Sequence, residues 1–488
     1  MWLGFSLPLF IAALTLRPYV PPELGPEPAF TPSQVMRIQV VPQDDAWDAN
    51  VFARPHYTAP LVGNVARDAR LVVRGELAMN DRSYCGSGLY YAIEPFGWIC
   101  SSDTRPTTLP ATTSSVLELV DDTSLPYRYR MVVVKQGASV PMWDTIEELE
   151  TYSSPSRELG RGDTVAVASV HEFAGKSYYI TVDGKVAAVS GTAPLSRVSE
   201  FQGVVLSGDV KVPFGWVTPT KAPVYETPGG KKLEELERRT RVEILGETLL
   251  GKARWLQIGE GRYLKADQVN EVRPLARPEG TGTHRQWIDV DLGEQVVVAY
   301  EGDTPVYATL TSSGRPPNRT PRGNYPVWSK SSAITMKSQD YDNSPYYVNR
   351  VPWVMFFQAH NALHGAYWHD RFGSVKSHGC ANLAPRDARH LFDWLEPALP
   401  PGWTAVRYWN LNEAPVVHVR DSKRPEPFKQ ERNIGPPNSD EETARTEAAL
   451  RRREREERAA KAAWPAPEIQ GPLLKEAPAP LLPEGPWR

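Results

Sequence analysis

The sequence predicts a mainly β protein: tandem small barrels, then a larger β-rich domain, then a polar tail that is partly helical or disordered. Three observations carry this. The 488 residues include 46 Pro and 35 Gly, which suits many turns and short strands better than long helices. Short β-branched and aromatic runs recur with tight-turn signals between them, as in a tandem array of small barrels. The chain is also too long for one core, so three or four domains are expected.

The repeats come first. One segment carries Arg70-Leu-Val-Val-Arg-Gly-Glu76, Tyr90-Tyr-Ala-Ile93 and Trp98-Ile99. A second carries Asp163-Thr-Val-Ala-Val-Ala168, Tyr178-Tyr-Ile-Thr181 and Val186-Ala-Ala-Val189. A third carries Arg241-Val-Glu-Ile-Leu-Gly-Glu247, Trp255-Leu-Gln-Ile258 and Tyr263-Leu264. Each reads as a strand, an aromatic-led strand, a tight turn and a further strand, with turns at Pro95–Gly97, Asp183-Gly184 and Gly259–Gly261. The third segment resembles a bacterial SH3 domain through Ala222-Pro-Val-Tyr-Glu-Thr-Pro-Gly-Gly230 and Arg254-Trp-Leu-Gln-Ile258. The first shares the likeness moderately and the second weakly. The expected units are 36–105, 126–200 and 213–272. The resemblance implies that they bind cell-wall polymer or space a catalytic domain; the plainer reading is that their aromatics fill barrel cores.

The ends of the chain have a different character. The uncharged apolar run Met1–Leu16 resembles the core of a signal peptide. Residues 1–20 are therefore expected to be a signal peptide or an N-terminal anchor, and the chain is expected to be exported to the cell envelope, in the periplasm or wall. No later stretch is apolar enough to span a bilayer. Residues 420–488 read as a solvated tail: a charged stretch pairs Glu447 with Arg451 and Glu454 with Arg458 at helical spacing, and a Pro- and Ala-rich end follows. The net charge of −3 gives no reason to expect nucleic acid as a partner.

Only three cysteines are present. In an exported chain Cys85 and Cys100 either pair, for a gain of roughly 3 kcal/mol in the chain-entropy account, or stay as two buried thiols. Cys380 is then left alone, and an odd cysteine in an exported chain is a liability or a reactive thiol.

The chemistry concentrates in Leu363-His-Gly-Ala-Tyr-Trp-His369 and Ser377-His-Gly-Cys-Ala-Asn-Leu383. A thiolate attacks amide carbonyls well, and a nearby imidazole can generate it and then protonate the leaving amine. His364 stands 16 positions before Cys380, enough for a turn to bring the two together. Gly379 permits close backbone approach, so that amides near the sulfur can face a developing oxyanion. After Pro385, the residues Ala388, Leu391, Phe392 and Leu395 fall on one helical face. A lone cysteine near histidine is more often structural, but bulk-poor Ser-His-Gly-Cys suits a core strand badly. His360, His364, His369, His378 and Cys380 could instead be metal ligands, but no HExxH or CxxC spacing supports a metal. No metal and no organic cofactor are expected.

His364 followed by Ser377-His378-Gly379-Cys380-Ala381-Asn382 resembles the signature of the YkuD-type L,D-transpeptidases. Trp287-Ile-Asp-Val-Asp291, Gln295-Val-Val-Val-Ala299, Pro305-Val-Tyr-Ala308 and Ser313-Gly314 are similar to that family's opening strands. Thr320-Pro-Arg-Gly-Asn-Tyr-Pro-Val327 is similar to its Thr-Pro-x-Gly-x-Tyr element. The catalytic domain is expected over 285–410. The resemblance implies Cys380 as nucleophile and His364 as general base and acid, oriented by the backbone carbonyl of Gly365. It also implies backbone amides of Gly379 and Cys380 at the oxyanion, and His378, Ser377 and Asn382 shaping the site and holding substrate. Trp368 and Trp353 either line the channel or pack in the core. The stretch from Lys330 to Arg350, with Tyr341, Tyr346 and Tyr347, resembles the family's mobile cap, and Tyr347 is expected to touch substrate.

The implied reaction attacks the bond between the third and fourth residues of a peptidoglycan stem tetrapeptide. A thioester forms, and an amine on a second stem resolves it. Peptidoglycan stems would be both donor and acceptor. Hydrolysis at the same site would make an L,D-carboxypeptidase. The readings from other classes are a different cysteine- or metal-dependent wall hydrolase and a non-catalytic wall-binding scaffold.

Overall fold

The computed structural model describes residues 27–42, 47–57, 59–114, 117–120, 124–208, 210, 212–338, 346–408 and 410–425. The expected signal segment, Tyr341 and the charged tail from residue 426 onward lie outside them. The described chain is overwhelmingly β, with two α-helices, Ile146–Glu150 and Pro385–Trp394.

Three β units precede the last domain. The first runs from the strand Arg37–Val40 to Thr104–Pro106 around Ile38, Val51, Val65, Leu71, Ile93 and Ile99. Cys85 and Cys100 are joined by a disulfide in this unit. The second spans the strands Arg128–Val132 to Thr192–Pro194 around Val132, Val140, Met142, Leu159, Val165 and Tyr179. The third spans Phe214–Val217 to Val269–Val272 around Val224, Val242, Leu256 and Leu264. Each turn signal read from the sequence closes a hairpin between adjacent antiparallel strands. Gly97, Gly184 and Gly261 take positive φ in these turns, where a side chain would be strained.

The last domain is built on two linked sheets. Gln286–Asp291 and Val296–Glu301 pair antiparallel, and Thr304–Ser312 continues the meander. Val416–Arg420 then returns parallel to Gln286–Asp291, with Trp287 opposite Val416. The domain therefore extends past the expected end at 410. The polar run Asn410–Glu413 hid this strand in the sequence, although Val416, Val417 and Val419 are buried in it. The helix Pro385–Trp394 begins at its proline and buries Ala388, Leu391 and Phe392, with Leu395 buried at its end. These side chains fill one core together with Ile288, Val297, Leu363 and Leu383.

The stretch 330–350 is not a long loop. Ser329–Lys337 and Tyr347–Gln358 form an antiparallel pair, Ser329 opposite Phe356, and only 339–345 falls outside the described residues. The second arm is a nearly continuous buried run rich in Val and aromatic residues, as in a strand covered on both faces.

The units do not hang freely on the last domain. The strand Leu61–Ala66 of the first pairs with Trp403–Arg407, and Trp403 sits in the first unit's core. A Cβ on Gly63 would come within 2.3 Å of the Ala405 carbonyl oxygen, so glycine is what allows this approach. The strand Thr164–Phe173 of the second unit touches Tyr347–Gln358 in parallel, Thr164 opposite Val348.

Candidate active site

His364 and Cys380 are brought together by a short parallel pair. The strand Asn361–Gly365 lies beside Ala381–Leu383, with Leu363 opposite Ala381 and His364 opposite Asn382. Side chains alternate along a strand, and the burial follows that alternation. Leu363, Ala381 and Leu383 enter the core, whereas His364, Cys380 and Asn382 line one cleft of about 830 Å³. The imidazole and the sulfur thus share a face, two residues of register apart on the diagonal.

The loop before Cys380 is held by several hydrogen bonds. Ser377 Oγ donates to the Cys380 carbonyl at 2.5 Å and accepts from the Gly379 N–H at 3.1 Å. Thr320 Oγ1 donates to the Gly379 carbonyl at 2.7 Å and accepts from the Gly314 N–H at 2.9 Å. The Ser377 carbonyl accepts from the Arg315 N–H at 3.0 Å. Gly379 sits at φ 132, and a Cβ there would lie 2.4 Å from Asn361 Oδ1; no other residue fits this turn without displacing its neighbour.

His364 Nδ1 lies 3.4 Å from the Gly365 carbonyl oxygen. That contact, though long, favours the proton on Nδ1 and leaves Nε2 as the basic nitrogen. The ring lies near-parallel to Trp368, centroids 5.8 Å apart. Burial pushes His364 down to about 4 and the Cys380 thiol up to about 11. A hydrogen bond from the ring to the Gly365 carbonyl opposes the first shift, and one with the Ala362 backbone opposes the second. The resting pair is therefore a neutral thiol beside a neutral imidazole, not an ion pair. The Cys380 Sγ lies 3.8 Å from the His360 carbonyl oxygen.

The other expected residues divide. His378 is exposed at the cleft mouth, its ring stacked on Tyr346 with centroids 5.2 Å apart. The Asn382 amide lies 2.9 Å from His369 Nε2, and its Oδ1 is buried with no hydrogen-bond partner. Trp368 lines the cleft. Trp353 does not: it is 2% exposed in the core beneath the His364 strand. Nor does Tyr347, which is 3% exposed and packed in the core of the second unit; its neighbour Tyr346 is the one at the cleft. The period-2 alternation of the strand turns residue 347 inward and residue 346 outward. Gly379 also departs from expectation, because its N–H is already spent on Ser377 rather than presented to an oxyanion.

Thr320 was visible in the sequence only as part of a motif; its grip on Gly379 was not. The second unit's share of the cleft was missed altogether. Among the described residues, no group of three or more His, Cys, Asp or Glu is arranged to hold a metal.

Residues 285–417 match the family model of the YkuD L,D-transpeptidase catalytic domain. This segment is a YkuD domain. The match covers this domain and not the three β units before it. Similar solved structures include an L,D-transpeptidase from Mycobacterium smegmatis, 17% identical over 37% of this chain and 82% of the other, with a TM-score of 0.23. They also include the catalytic domain of the E. faecium L,D-transpeptidase, 26% identical over 28% of this chain and 98% of the other, again with a TM-score of 0.23. No curated protein matches the chain. His364, Cys380 and Asn382 of the cleft all lie inside the matched segment.

Proposed function

We propose that the chain is an exported cysteine L,D-transpeptidase that cross-links or remodels peptidoglycan. The observation that carries this reading is the parallel pair that sets His364 and Cys380 on one face of one cleft, inside a YkuD domain.

His364 Nε2 takes the thiol proton as Sγ attacks the carbonyl carbon of the third residue of a stem tetrapeptide. The tetrahedral adduct collapses, the carbon–nitrogen bond breaks, and the imidazolium returns its proton to the departing amine. The acyl group is then a thioester on Cys380. An incoming amine gives its proton to the neutral His364 as it attacks, and the thiolate leaves and is reprotonated. Because the resting pair is neutral, charge exists only during these transfers, and the Gly365 carbonyl stabilises the imidazolium through Nδ1–H. Ser377 and Thr320 act one step back, holding the backbone that carries the sulfur. His378, Trp368 and Asn382 face the substrate, and the unpartnered Oδ1 of Asn382 suits a peptide N–H. The three β units serve as wall-binding or spacing modules, and the Cys85–Cys100 disulfide fits an oxidising compartment.

Incubating the purified protein with stem tetrapeptides and resolving the products by mass spectrometry tests the reading. Loss of the fourth residue with a cross-link or an exchanged amine is expected, and neither with Cys380→Ala. Substrate left intact by the wild-type protein contradicts it.

A further inference from the structure

The cleft is not made by the YkuD domain alone. Apart from Arg238 of the third unit, which donates to the Asp370 and Phe372 carbonyls, five cations line it: Arg161 and Arg197 from the second unit, and Arg315, Arg371 and Lys376 from the YkuD domain. We propose that these five cations form a carboxylate-binding rim, shared between two units, which selects stem peptides whose side-branch carboxylates are free over those whose carboxylates are amidated. The inference rests on the transpeptidase reading for the identity of the peptide.

Two features of the charge distribution support it. The chain as a whole is slightly acidic, yet the cleft gathers cations, and its two carboxylates are already engaged. Asp370 is ion-paired with Arg239 at 2.6 Å, and Asp163 Oδ1 and Oδ2 accept from the backbone N–H groups of Tyr347 and Gly160. None of the five rim side chains has a carboxylate partner among the described residues. Cations crowded in this way repel one another unless an anion joins them. The crowding is felt locally: Lys376 is held below the usual lysine range by burial and then by Arg371 and Arg315.

The second feature is that the rim is rigid. Thr164 Oγ1 and Tyr367 Oη lie 2.7 Å apart, the Ala166 N–H donates to Asn349 Oδ1 at 2.8 Å, and Tyr129 stacks on Tyr367 at 3.7 Å. All of these contacts are buried, and Tyr367 is three residues from His364. The turn bearing Arg161, three residues before Thr164, is therefore tied to the strand next to the cleft, and a preformed site binds without paying to order itself. Guanidinium forks match planar carboxylates in two-point contacts, and four of the five are arginines.

The test compares one stem tetrapeptide with free carboxylates and the same peptide with those carboxylates as primary amides. KM for the free acid should be lower by about tenfold or more, the size of one or two charge-assisted contacts. In the Arg161→Ala/Arg197→Ala double variant, both exposed positions, the preference should shrink below about threefold, through KM rather than kcat. Equal KM values in the wild type, or a preference kept by the variant, would overturn the rim. If the wild type turns over neither peptide, the transpeptidase reading fails first, and calorimetric binding to Cys380→Ala protein decides the rim separately. Tighter binding of the acid that is lost with the two arginines upholds it; equal binding of acid and amide overturns it.

Discussion

The hydroxyl of Thr320 donates to the carbonyl of Gly379 at 2.7 Å, so the Thr-Pro-Arg-Gly segment holds the residue that immediately precedes Cys380. Through the same hydroxyl it accepts from Gly314, which makes Thr320 a two-way tie between the strand end at 312 and the Cys380 turn. Thr320→Val keeps the shape and removes both bonds. Leaving a buried carbonyl and a buried N–H unmet should cost about 1–3 kcal/mol for each group. Thermal unfolding should show the loss, and kcat should fall because the sulfur is no longer held in register. Unchanged values for both would show that the tie is dispensable.

Tyr367→Phe probes the weld between the second unit and the YkuD domain. Its hydroxyl donates to the Asn349 carbonyl at 2.6 Å and meets Thr164. Removing it should destabilise the protein by about 1–3 kcal/mol and raise amide exchange in the strand Thr164–Phe173 before the third unit is affected. Exchange that rises uniformly, or not at all, would count against a local weld.

The pH profile follows from burial. His364 accepts a proton only while neutral, and burial has lowered it from 6.5 to about 4. For the free enzyme, kcat/KM should hold through pH 6 and fall only as pH drops through about 4. A limb near 6.5 would mean an imidazole far more solvated than this one. The same depression affects stability: between 6.5 and about 4 the unfolded chain binds protons at His364 and His418 that the folded chain refuses. Their contribution is therefore present above 6.5 and is lost on acidification. Asp289 and Asp387, raised to about 6 by burial, act in the opposite sense: their contribution is full below about 3.8 and is lost as pH rises through about 6.

How much the sequence reveals depends on the range of the contact involved. The helix after Pro385, the hairpin turns and the order His364, Gly379, Cys380 are local patterns, and each was legible. Aromatics are harder. Trp353 and Trp368 look alike in sequence, but one is on a buried strand in the core and the other is in a turn after Gly365 that lines the cleft. Tyr347 was misread because a shift of one residue turns a side chain to the other face. The Gly379 amide was assigned to an oxyanion because nothing in the sequence says that Ser377 claims it. Least visible of all was the reach of Arg161 and Arg197 into a cleft some two hundred residues further along the chain; such contacts leave no periodic trace.

His364→Gln should slow the reaction by about 10²–10⁴-fold, the usual worth of a positioned general base, with circular dichroism and thermal unfolding checking that the fold is kept. Alkylation of Cys380 by iodoacetamide at neutral pH should also be slow in both proteins, since a thiol pushed up to about 11 is scarcely ionised there. Rapid alkylation of the wild type would argue for a preformed thiolate.

The most direct measurement is intact-protein mass spectrometry after rapid mixing with a stem tetrapeptide. The account predicts an acyl adduct on the Cys380 peptide, formed at least about 100-fold more slowly in His364→Gln and absent in Cys380→Ala. An adduct on another residue, or one that forms as fast without the imidazole as with it, would contradict the claim that His364 activates Cys380.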